Sequence, residues 1–361
     1  MTYFDLVFVG FGHVGQRFAR LLLDDTMRLR GEYGIGWRVV GIATKNHGTA
    51  FDARGLDLEK ALKLVEAGQT LGPLTQPDAI RVLGQQATGL ALIKHATAEF
   101  RRRQLQQLVV VETTVLDIAN GEPATEHVVT ALRGGAHVVT ANKGPAAFAY
   151  RELEAVAAMS RRRFLFEGAV MDGVPIFNLV RETLPAVAIE GFRGVINSTT
   201  NHILTAMETG RSFDEALAEM QAAGIAEADA SFDVDGWDAA AKAAALINVL
   251  MRGSATPHTI DRTGIRDITT ADVEDARRRK RHIRLVASAE RRDGHVVGRV
   301  APVELEAGDP LAQLTGVQNL LVLRTDVLGE IGIHQFDGGL VQTAYALLSD
   351  LITIARQPAG E

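Results

Sequence analysis

The first third of the chain alternates between short apolar runs and amphipathic segments. Residues 4–9 form an apolar run that predicts a β-strand, and residues 14–23 carry apolar side chains at helical spacing. Residues 38–43 predict a second strand. The alternation continues with strands at 108–112 and 136–140 and a helix at 125–132. Strands that alternate with helices indicate an α/β fold with a doubly wound parallel sheet.

From about residue 146 the pattern changes to a mixture of helices and longer strands. The predicted elements are helices at 150–160 and 237–251, strands at 191–197, 285–303 and 320–325, and a loop at 171–175. Gly338 and Gly339 then precede an apolar helix at 343–355. We therefore expect one domain formed by residues 1–145 and 325–361, and an α+β domain over residues 146–324.

Composition narrows the class of protein. The 361 residues are 47% hydrophobic, carry a formal net charge of −6 and include no cysteine. The net charge gives no reason to expect a nucleic-acid or membrane partner, and the basic runs at 101–103, 161–163 and 277–281 are typical of solvated faces. The amino terminus lacks the pattern of a signal peptide, and no apolar run is long enough to span a bilayer, so we expect a cytoplasmic protein.

A glycine motif follows the first predicted strand directly and opens the first helix. Gly10 would allow the tight turn, Gly12 the approach of a pyrophosphate, and Gly15 the close packing of helix on strand. The helix N-terminus would then face the phosphates. This arrangement predicts a Rossmann-type dinucleotide-binding domain. The predicted cofactor-binding residues of the loop are Gly10, Phe11, Gly12, His13, Val14 and Gly15.

The end of the second strand normally reads the ribose of the dinucleotide. A carboxylate there binds the 2′-hydroxyl of NAD, whereas a basic residue tolerates the 2′-phosphate of NADP. Here the strand runs into Thr44 and Lys45, with no carboxylate at its tip. We assign both residues to the cofactor site, and Lys45 favours NADP over NAD.

Residues 226–242 combine a run of carboxylates with a lysine. A calcium loop would place Lys242 where a glutamate is required, which disfavours it. A structural interpretation has Asp235 capping a helix, Asp238 completing a capping box and Lys242 forming an exposed ion pair. A third interpretation is an active site in which carboxylates hold an ammonium group and Lys242 moves a proton. Spacing alone leaves the last two open.

The chain resembles the homoserine dehydrogenase family, in a short form without a C-terminal ACT regulatory domain. The resemblance extends over nearly the whole chain. It rests on GFGHVG (10–15), TANKGP (140–145), EGAVMDGVPI (167–176), NSTTNHIL (197–204) and AEADASFDVDGWDAAAK (226–242). It implies hydride transfer between L-homoserine and L-aspartate 4-semialdehyde with NAD or NADP, a step of threonine and methionine biosynthesis. It also implies a homodimer formed through the domain over residues 146–324, which would also bind the substrate.

The resemblance also implies roles for individual residues. Glu227 and Asp238 would hold the amino-acid substrate, Lys242 would donate the proton to the carbonyl oxygen, and Lys143 would polarise that oxygen beside the nicotinamide. Oxidation would need Lys242 neutral, so this direction should accelerate at alkaline pH. Thr113, Thr114 and Gly339 would contact the cofactor. Backbone oxygens of Glu167, Val170, Asp172 and Val174 would bind a monovalent cation, sodium.

Two positions depart from the family pattern. The usual Asn-Gly-Thr reads Asn197-Ser198-Thr199, and a usual tyrosine reads His202. We assign Ser198 and Thr199 to the substrate site, and these departures keep a related oxidoreductase acting on another amino-acid alcohol or aldehyde as an alternative. A dinucleotide-binding protein without catalysis is a weaker alternative. Aldehyde dehydrogenases that form a thioester are excluded because the chain has no cysteine.

Overall fold

The computed structural model describes residues 1–75, 88–103, 107–222 and 229–356. These residues form two compact units. The first contains Met1–Pro145, Ala149–Gly173 and the chain from Gly339 onward, and the second contains Ala146–Phe148 and Val174–Gly338. The bounds expected from the sequence differ at two places. Residues 149–173 belong to the first unit, and residues 325–338 belong to the second because they supply a strand to its sheet.

The first unit is built on a six-stranded sheet with the order β3-β2-β1-β4-β5-β6. Its strands are β1 (Thr2–Val9), β2 (Ile35–Ala43), β3 (Thr49–Phe51), β4 (Leu108–Glu112), β5 (His137–Thr140) and β6 (Phe164–Leu165). All neighbours pair in parallel except β2 and β3, which form an antiparallel hairpin. The doubly wound parallel sheet expected from the sequence is therefore confirmed.

Six helices occur among the described residues of this part of the chain. They are α1 (His13–Asp24), α2 (Thr26–Glu32), α3 (Leu58–Glu66), α4 (Gly89–Arg102), α5 (Ala124–Arg133) and α6 (Gly144–Ser160). Helix α1 buries Phe18 and Leu22 on one face, as its apolar spacing predicts. The side chains of Asp57 and Thr88 cap α3 and α4 by accepting backbone N–H groups. Helix α6 is interrupted at Ala149, whose φ is −138°.

The second unit contains a mostly antiparallel sheet with the order β12-β11-β7-β9-β10-β8. Its strands are β7 (Ile189–Val195), β8 (Asp261–Arg262), β9 (Arg281–Arg292), β10 (His295–Glu306), β11 (Asn319–Thr325) and β12 (Glu330–Gln335). The apolar segment at 285–303 forms a long hairpin, which turns at Asp293 and Gly294, both with positive φ. This unit confirms the expected α+β class.

Among the described residues, five helices accompany this sheet, and one further helix follows its last strand. They are α7 (Ser198–Met207), α8 (Phe213–Ala222), α9 (Ser231–Val234), α10 (Trp237–Leu250), α11 (Thr270–Arg278) and the C-terminal α12 (Leu340–Arg356). Short helical turns occur at Gly72–Leu74, Glu167–Ala169, Leu179–Thr183 and Pro257–Thr259. Small alanines let α10 be buried along nearly its whole length, from Asp238 to Asn248.

The core of the first unit joins the two ends of the chain. Phe4, Phe8 and Phe18 lie in one buried cluster with Leu347 and Leu351 of α12. The apolar face of α12 is thus covered by the doubly wound sheet and α1, which explains why its sequence is so apolar. Within the described ranges, no helix is long and apolar enough to cross a membrane.

Candidate active site

The glycine loop joins β1 to α1, and its three glycines meet different steric conditions. Gly10 has a φ of +88°, and a Cβ there would lie 2.6 Å from the carbonyl group of Thr113, so only glycine fits. A Cβ on Gly15 would lie 3.1 Å from the Gly10 carbonyl oxygen. A Cβ on Gly12 would meet nothing within 4 Å. This open space before the N-terminus of α1 fits a pyrophosphate.

The turn after β4 is attached directly to the glycine loop. The Thr113 backbone N–H donates to the Val9 carbonyl oxygen at 2.8 Å, and its hydroxyl donates to the Gly10 carbonyl oxygen at 2.9 Å. Of the other loop residues, Phe11 is buried, Val14 is partly buried and His13 is exposed. The structure therefore brings Thr113 to the loop that the sequence assigned to the cofactor.

Glu112, the last residue of β4, is fully buried, with 0% of its surface exposed. One carboxylate oxygen accepts the backbone N–H of Thr114 at 3.1 Å and also the Thr114 hydroxyl. The other accepts the hydroxyl of Thr140 at 2.9 Å. The imidazole Nδ1 of His127 lies 3.6 Å from this carboxylate. Both oxygens of a buried acid are thus satisfied by groups at the ends of two neighbouring strands.

The turn after β5 continues this network and carries Lys143. The side chain of Asn142 donates to the Thr114 carbonyl oxygen at 3.0 Å and accepts the Gly144 backbone N–H at 2.9 Å. Lys143, between them, is the residue that precedes α6 and is partly buried. One buried amide thus joins the turn after β4 to the peptide group that follows Lys143.

Thr44 and Lys45, the residues predicted to lie beside the cofactor ribose, follow directly after the end of β2. The hydroxyl of Thr44 accepts the His47 backbone N–H at 2.7 Å and donates to the Gly48 carbonyl oxygen at 3.0 Å. Thr44 thus shapes the turn with its side chain, whereas Lys45 is exposed. The strand reaches the glycine loop through the Gly10 N–H, which donates to the Ala43 carbonyl oxygen at 3.0 Å.

The second unit holds a buried cluster of carboxylates and a lysine. The Lys242 ammonium lies 2.9 Å from a carboxylate oxygen of Asp238, one helical turn away on α10, and donates to the Ile196 carbonyl oxygen at 2.7 Å. The amide nitrogen of Asn197 donates to Asp233 at 2.7 Å and to Asp238 at 2.9 Å. One amide and one ammonium are therefore shared among two carboxylates.

Asp233 is the residue of this cluster whose charged form is electrostatically unfavourable. Burial raises the pKa of its carboxyl group, and the negative charge of Asp238 raises this pKa further. Hydrogen bonds from Asn197 and Thr199 and the charge of Lys242 oppose the rise in pKa without cancelling it. A cationic group placed beside Asp233 and Asp238 would relieve their repulsion. The cluster is therefore suited to binding an ammonium group.

The structural interpretation of this segment is wrong in its details. The residue preceding α10 is Gly236, with a φ of +81° and no side-chain cap, so Asp235 does not cap this helix. The Asp238–Lys242 pair is buried rather than exposed, with side chains 7% and 16% accessible. Arg262 fixes the turn instead: it stacks 3.7 Å from the ring centre of Trp237 and donates to the Asp235 carbonyl oxygen.

Ser198 and His202, the two positions that depart from the family pattern, both contact other residues of the second unit. The Ser198 hydroxyl accepts the side-chain amide of Asn319 at 2.8 Å. His202 lies with Nε2 3.7 Å from a carboxylate oxygen of Glu219, and burial, followed by the charge of Arg211, lowers the pKa of its imidazole. Neither side chain makes a hydrogen bond to Asp233, Asp238 or Lys242 among the contacts of the described residues.

The loop assigned to a cation is held in place from several sides. The Glu167 backbone N–H donates to Asp350 at 3.0 Å. The Asp172 carboxylate accepts the Gly339 backbone N–H at 3.0 Å and the Thr343 hydroxyl at 2.9 Å, so it caps the start of α12. Among the described residues, no group of three or more acidic or histidine side chains could hold a metal ion.

The predicted site residues fall into two groups. The first unit contains the glycine loop, Thr44, Lys45, Thr113, Thr114, Lys143 and Gly339, together with Glu167, Val170 and Asp172. The second unit contains Val174, Ser198, Thr199, Asp238 and Lys242. Glu227 lies outside the described residues. In the first unit Thr113 is hydrogen-bonded to the glycine loop at Gly10 and Asp172 to Gly339, and in the second unit Asp238 is paired with Lys242.

Three polar residues of these clusters were missed by sequence reasoning. Asn197 had a visible signal, because an asparagine before a helical segment is a typical cap, and it does accept the Thr200 N–H. Asp233 was counted among the acidic residues, but nothing in the spacing distinguished it. Glu112 was assigned only to a strand, since a buried acid at a strand end is recognised by its partners rather than by its sequence.

A doubly wound sheet with a glycine loop, joined to a unit with a buried lysine and carboxylates, defines a dinucleotide-dependent oxidoreductase. Family models for the homoserine dehydrogenase NAD-binding domain and for homoserine dehydrogenase match residues 10–167 and 175–352. The chain belongs to the homoserine dehydrogenase family.

Individual relatives match over nearly the full chain. The NAD(+)-dependent homoserine dehydrogenase of Pseudomonas canavaninivorans is 35% identical, covering 98% of this chain and 97% of the relative. The homoserine dehydrogenase of Methanocaldococcus jannaschii is 36% identical, covering 97% and 98%. A hyperthermophilic archaeal homoserine dehydrogenase in complex with NADPH superposes with a TM-score of 0.75 at 28% identity, covering 100% of both chains.

Proposed function

We propose that this protein is a homoserine dehydrogenase that interconverts L-homoserine and L-aspartate 4-semialdehyde, in threonine and methionine biosynthesis. The observation that carries the proposal is the Lys242 ammonium held by Asp238 beside Asp233, in a chain of this family. A lysine one helical turn from a carboxylate on a buried helix has a fixed position, which proton transfer requires.

The carboxylates bind the amino-acid end of the substrate. Asp233 and Asp238 attract its ammonium group because their mutual repulsion is relieved by a second cation. Glu227 is assigned to the same ammonium by its place in the family motif. Ser198 and Thr199 form the remaining substrate contacts that we assign, with Thr199 already hydrogen-bonded to Asp233.

Lys242 moves the proton. In oxidation, neutral Lys242 accepts the hydroxyl proton of homoserine while the carbinol carbon loses a hydride, and in reduction the charged form returns the proton to the oxygen. The dinucleotide supplies the nicotinamide that accepts or donates this hydride. Lys143 stabilises the negative charge that develops on the oxygen. Hydrogen bonds to Asp238 and to the Ile196 carbonyl oxygen, which the neutral amine can also donate, keep the Nζ of Lys242 oriented through both states.

The glycine loop fits a dinucleotide cofactor, as the open space at Gly12 indicates. We propose that both NAD and NADP bind, with NADP preferred, because β2 ends without a carboxylate and Lys45 is exposed beside its tip. The remaining predicted contacts are Thr44, Thr113, Thr114 and Gly339.

We further propose a sodium ion on backbone oxygens of Glu167, Val170, Asp172 and Val174. Support comes from the hydrogen bonds of Asp172 to Gly339 and Thr343, which hold the loop as a carbonyl-ligated site requires. We also propose a cytoplasmic homodimer. The absence of cysteine fits a reducing compartment.

Initial rates with purified protein test these assignments. Homoserine oxidation is measured with NAD and NADP separately, with and without sodium, and against a panel of other hydroxy amino acids. We expect homoserine to give the highest kcat/KM, with acceleration at alkaline pH. A rate of homoserine oxidation that stays constant between pH 7 and 10 would contradict the role of Lys242. A higher kcat/KM for another hydroxy amino acid would contradict homoserine as the substrate. Light scattering that gives a monomer mass would contradict the dimer.

A further inference from the structure

Glu112 is a buried acid to which the proposed reaction assigns no role. It ends β4, and Thr140, its partner in the neighbouring strand, ends β5. The carboxyl ends of parallel strands are where doubly wound folds bind their ligands. The residues that follow the two strands are Thr113 and Thr114 on one side and Asn142 and Lys143 on the other. Glu112 therefore lies beneath both turns that we assign to the cofactor and the reaction.

The hydrogen bonds around Glu112 have a defined direction. The Thr114 backbone N–H can only donate, so one carboxylate oxygen must accept. On the other side, the Asn142 backbone N–H donates to the Thr140 oxygen at 2.9 Å, which leaves the Thr140 hydrogen free to donate to Glu112. A carboxylate that only accepts matches this arrangement, and hydrogen bonds to a charged acceptor are stronger than those to a neutral one.

These hydrogen bonds extend from Glu112 to the residues of both turns. Thr114 is held by Glu112 through its N–H and hydroxyl, and its carbonyl oxygen accepts the Asn142 amide. Asn142 in turn accepts the Gly144 N–H, so the peptide group that follows Lys143 is fixed. Glu112, Asn142 and Gly144 are buried, so a partner missing there could not be replaced by bulk water.

We propose that Glu112 is a positioning residue that holds the Thr113–Thr114 turn and the Asn142–Gly144 turn in a fixed relative position. It thereby orients the residues that contact the cofactor, and Lys143. The inference rests on the proposed function for the role of Lys143, but its effect on cofactor binding does not depend on the substrate. Neither Glu112 nor Thr140 needs to touch cofactor or substrate.

Four variants distinguish a positioning role of Glu112 from a contribution to the stability of the fold alone. Glu112→Gln keeps the shape but must point an amide hydrogen toward a group that already donates. Thr140→Val removes one donor, and Thr140→Ser keeps it. Asp5→Asn is the matched control, because Asp5 is also a buried acid of this sheet but pairs with Arg38 in the part of β1 that faces away from the glycine loop.

Each variant is measured by fluorescence titration with NADPH and NADH, by kcat and KM for homoserine, and by thermal unfolding. We expect Glu112→Gln to raise the cofactor Kd about tenfold and to lower kcat, with the KM for homoserine changed by less than about threefold. Thr140→Val should move the same quantities less, and Thr140→Ser should restore them. Asp5→Asn should lower the midpoint of unfolding and leave Kd and kcat unchanged.

The proposal is overturned if Glu112→Gln lowers thermal stability but leaves the cofactor Kd and kcat at the wild-type values, as Asp5→Asn should. It is equally overturned if Thr140→Ser behaves as Thr140→Val does. Should Glu112→Gln fail to fold, the two Thr140 variants decide the question. A wild-type protein that binds dinucleotide without oxidising homoserine would contradict the proposed substrate while the titrations still test Glu112.

Discussion

Two buried acidic sites, one in each unit, use carboxylates in opposite ways. Glu112 in the first unit has both oxygens satisfied by donors from adjacent turns. Asp233 and Asp238 in the second unit share the amide of Asn197, and the repulsion between them contributes to the raised pKa of Asp233. The first arrangement stabilises a fixed backbone, whereas the second leaves electrostatic strain that a bound cation can relieve.

The difference shows why burial alone does not identify a ligand site. A buried carboxylate whose donors come from the protein has little left to offer a ligand, and its removal exposes unpaired donors. A pair of carboxylates whose charges repel one another attracts a cationic substrate at a cost to the stability of the fold. The variants below test whether the two sites separate in this way.

The largest effect is expected from Lys242→Met. Removing the proton carrier should lower kcat for homoserine oxidation by about 10²–10⁴-fold, the usual contribution of a positioned acid or base. Steady-state rates at several pH values measure it, and the alkaline acceleration should disappear with the lysine. Lys94→Met, a change at an exposed lysine of α4, is the control and should leave kcat unchanged. A Lys242→Met enzyme that retains a tenth or more of the wild-type kcat would contradict the assignment.

Asp233→Asn should separate substrate binding from stability. Losing a charged partner for the substrate ammonium should raise the KM for homoserine about 10- to 100-fold, equivalent to about 1.5–3 kcal/mol. At pH 7 this substitution should not lower the midpoint of thermal unfolding, whereas Glu112→Gln should lower it. Asp233→Asn should raise that midpoint if the relief of the repulsion from Asp238 outweighs the loss of hydrogen bonding. Asp24→Asn, at an exposed carboxylate, should change neither quantity.

The sign of the pH dependence follows from the raised pKa. The folded protein holds a proton on Asp233 more tightly than the unfolded chain does, so the ionised form costs stability above the folded-state pKa. That cost disappears as the pH falls through the folded-state pKa toward the ordinary value for aspartate. The stability advantage of Asp233→Asn should therefore shrink on acidification, as unfolding measured from pH 8 to 4 would reveal. An advantage that grows as the pH falls would show that the pKa is lowered instead.

Ser198→Gly is expected to have the smallest effect. It removes one hydrogen bond to buried Asn319, which should cost about 1 kcal/mol, or about 2–4 °C in the midpoint of unfolding. Because the hydroxyl already accepts a hydrogen bond from Asn319, its proposed contact with the substrate should be weak, and the KM for homoserine should change by less than about threefold. A tenfold rise in KM would instead mean that the contact with the substrate is a major part of substrate binding.

Much of the fold follows from local patterns. The strand at Leu108–Glu112 has the predicted bounds, and α10 ends one residue before the predicted limit at Met251. The strand expected at 191–197 lies at Ile189–Val195, because Asn197 leaves the sheet to cap α7. The division at residue 325 fails because β12 pairs with β11, and strand partners are not encoded in the strand's own sequence.

The glycine loop, the alternation of strands and helices, and the one-turn spacing of Asp238 and Lys242 can all be read from the amino-acid sequence. These features depend on steric limits at single residues or on helical periodicity, which act over a few positions. The folded chain alone shows that Asn197 joins Asp233 to Asp238 and that Glu112 joins the turns after β4 and β5. Those contacts join residues 28 to 41 positions apart, and burial, which makes them strong, is a property of the folded chain.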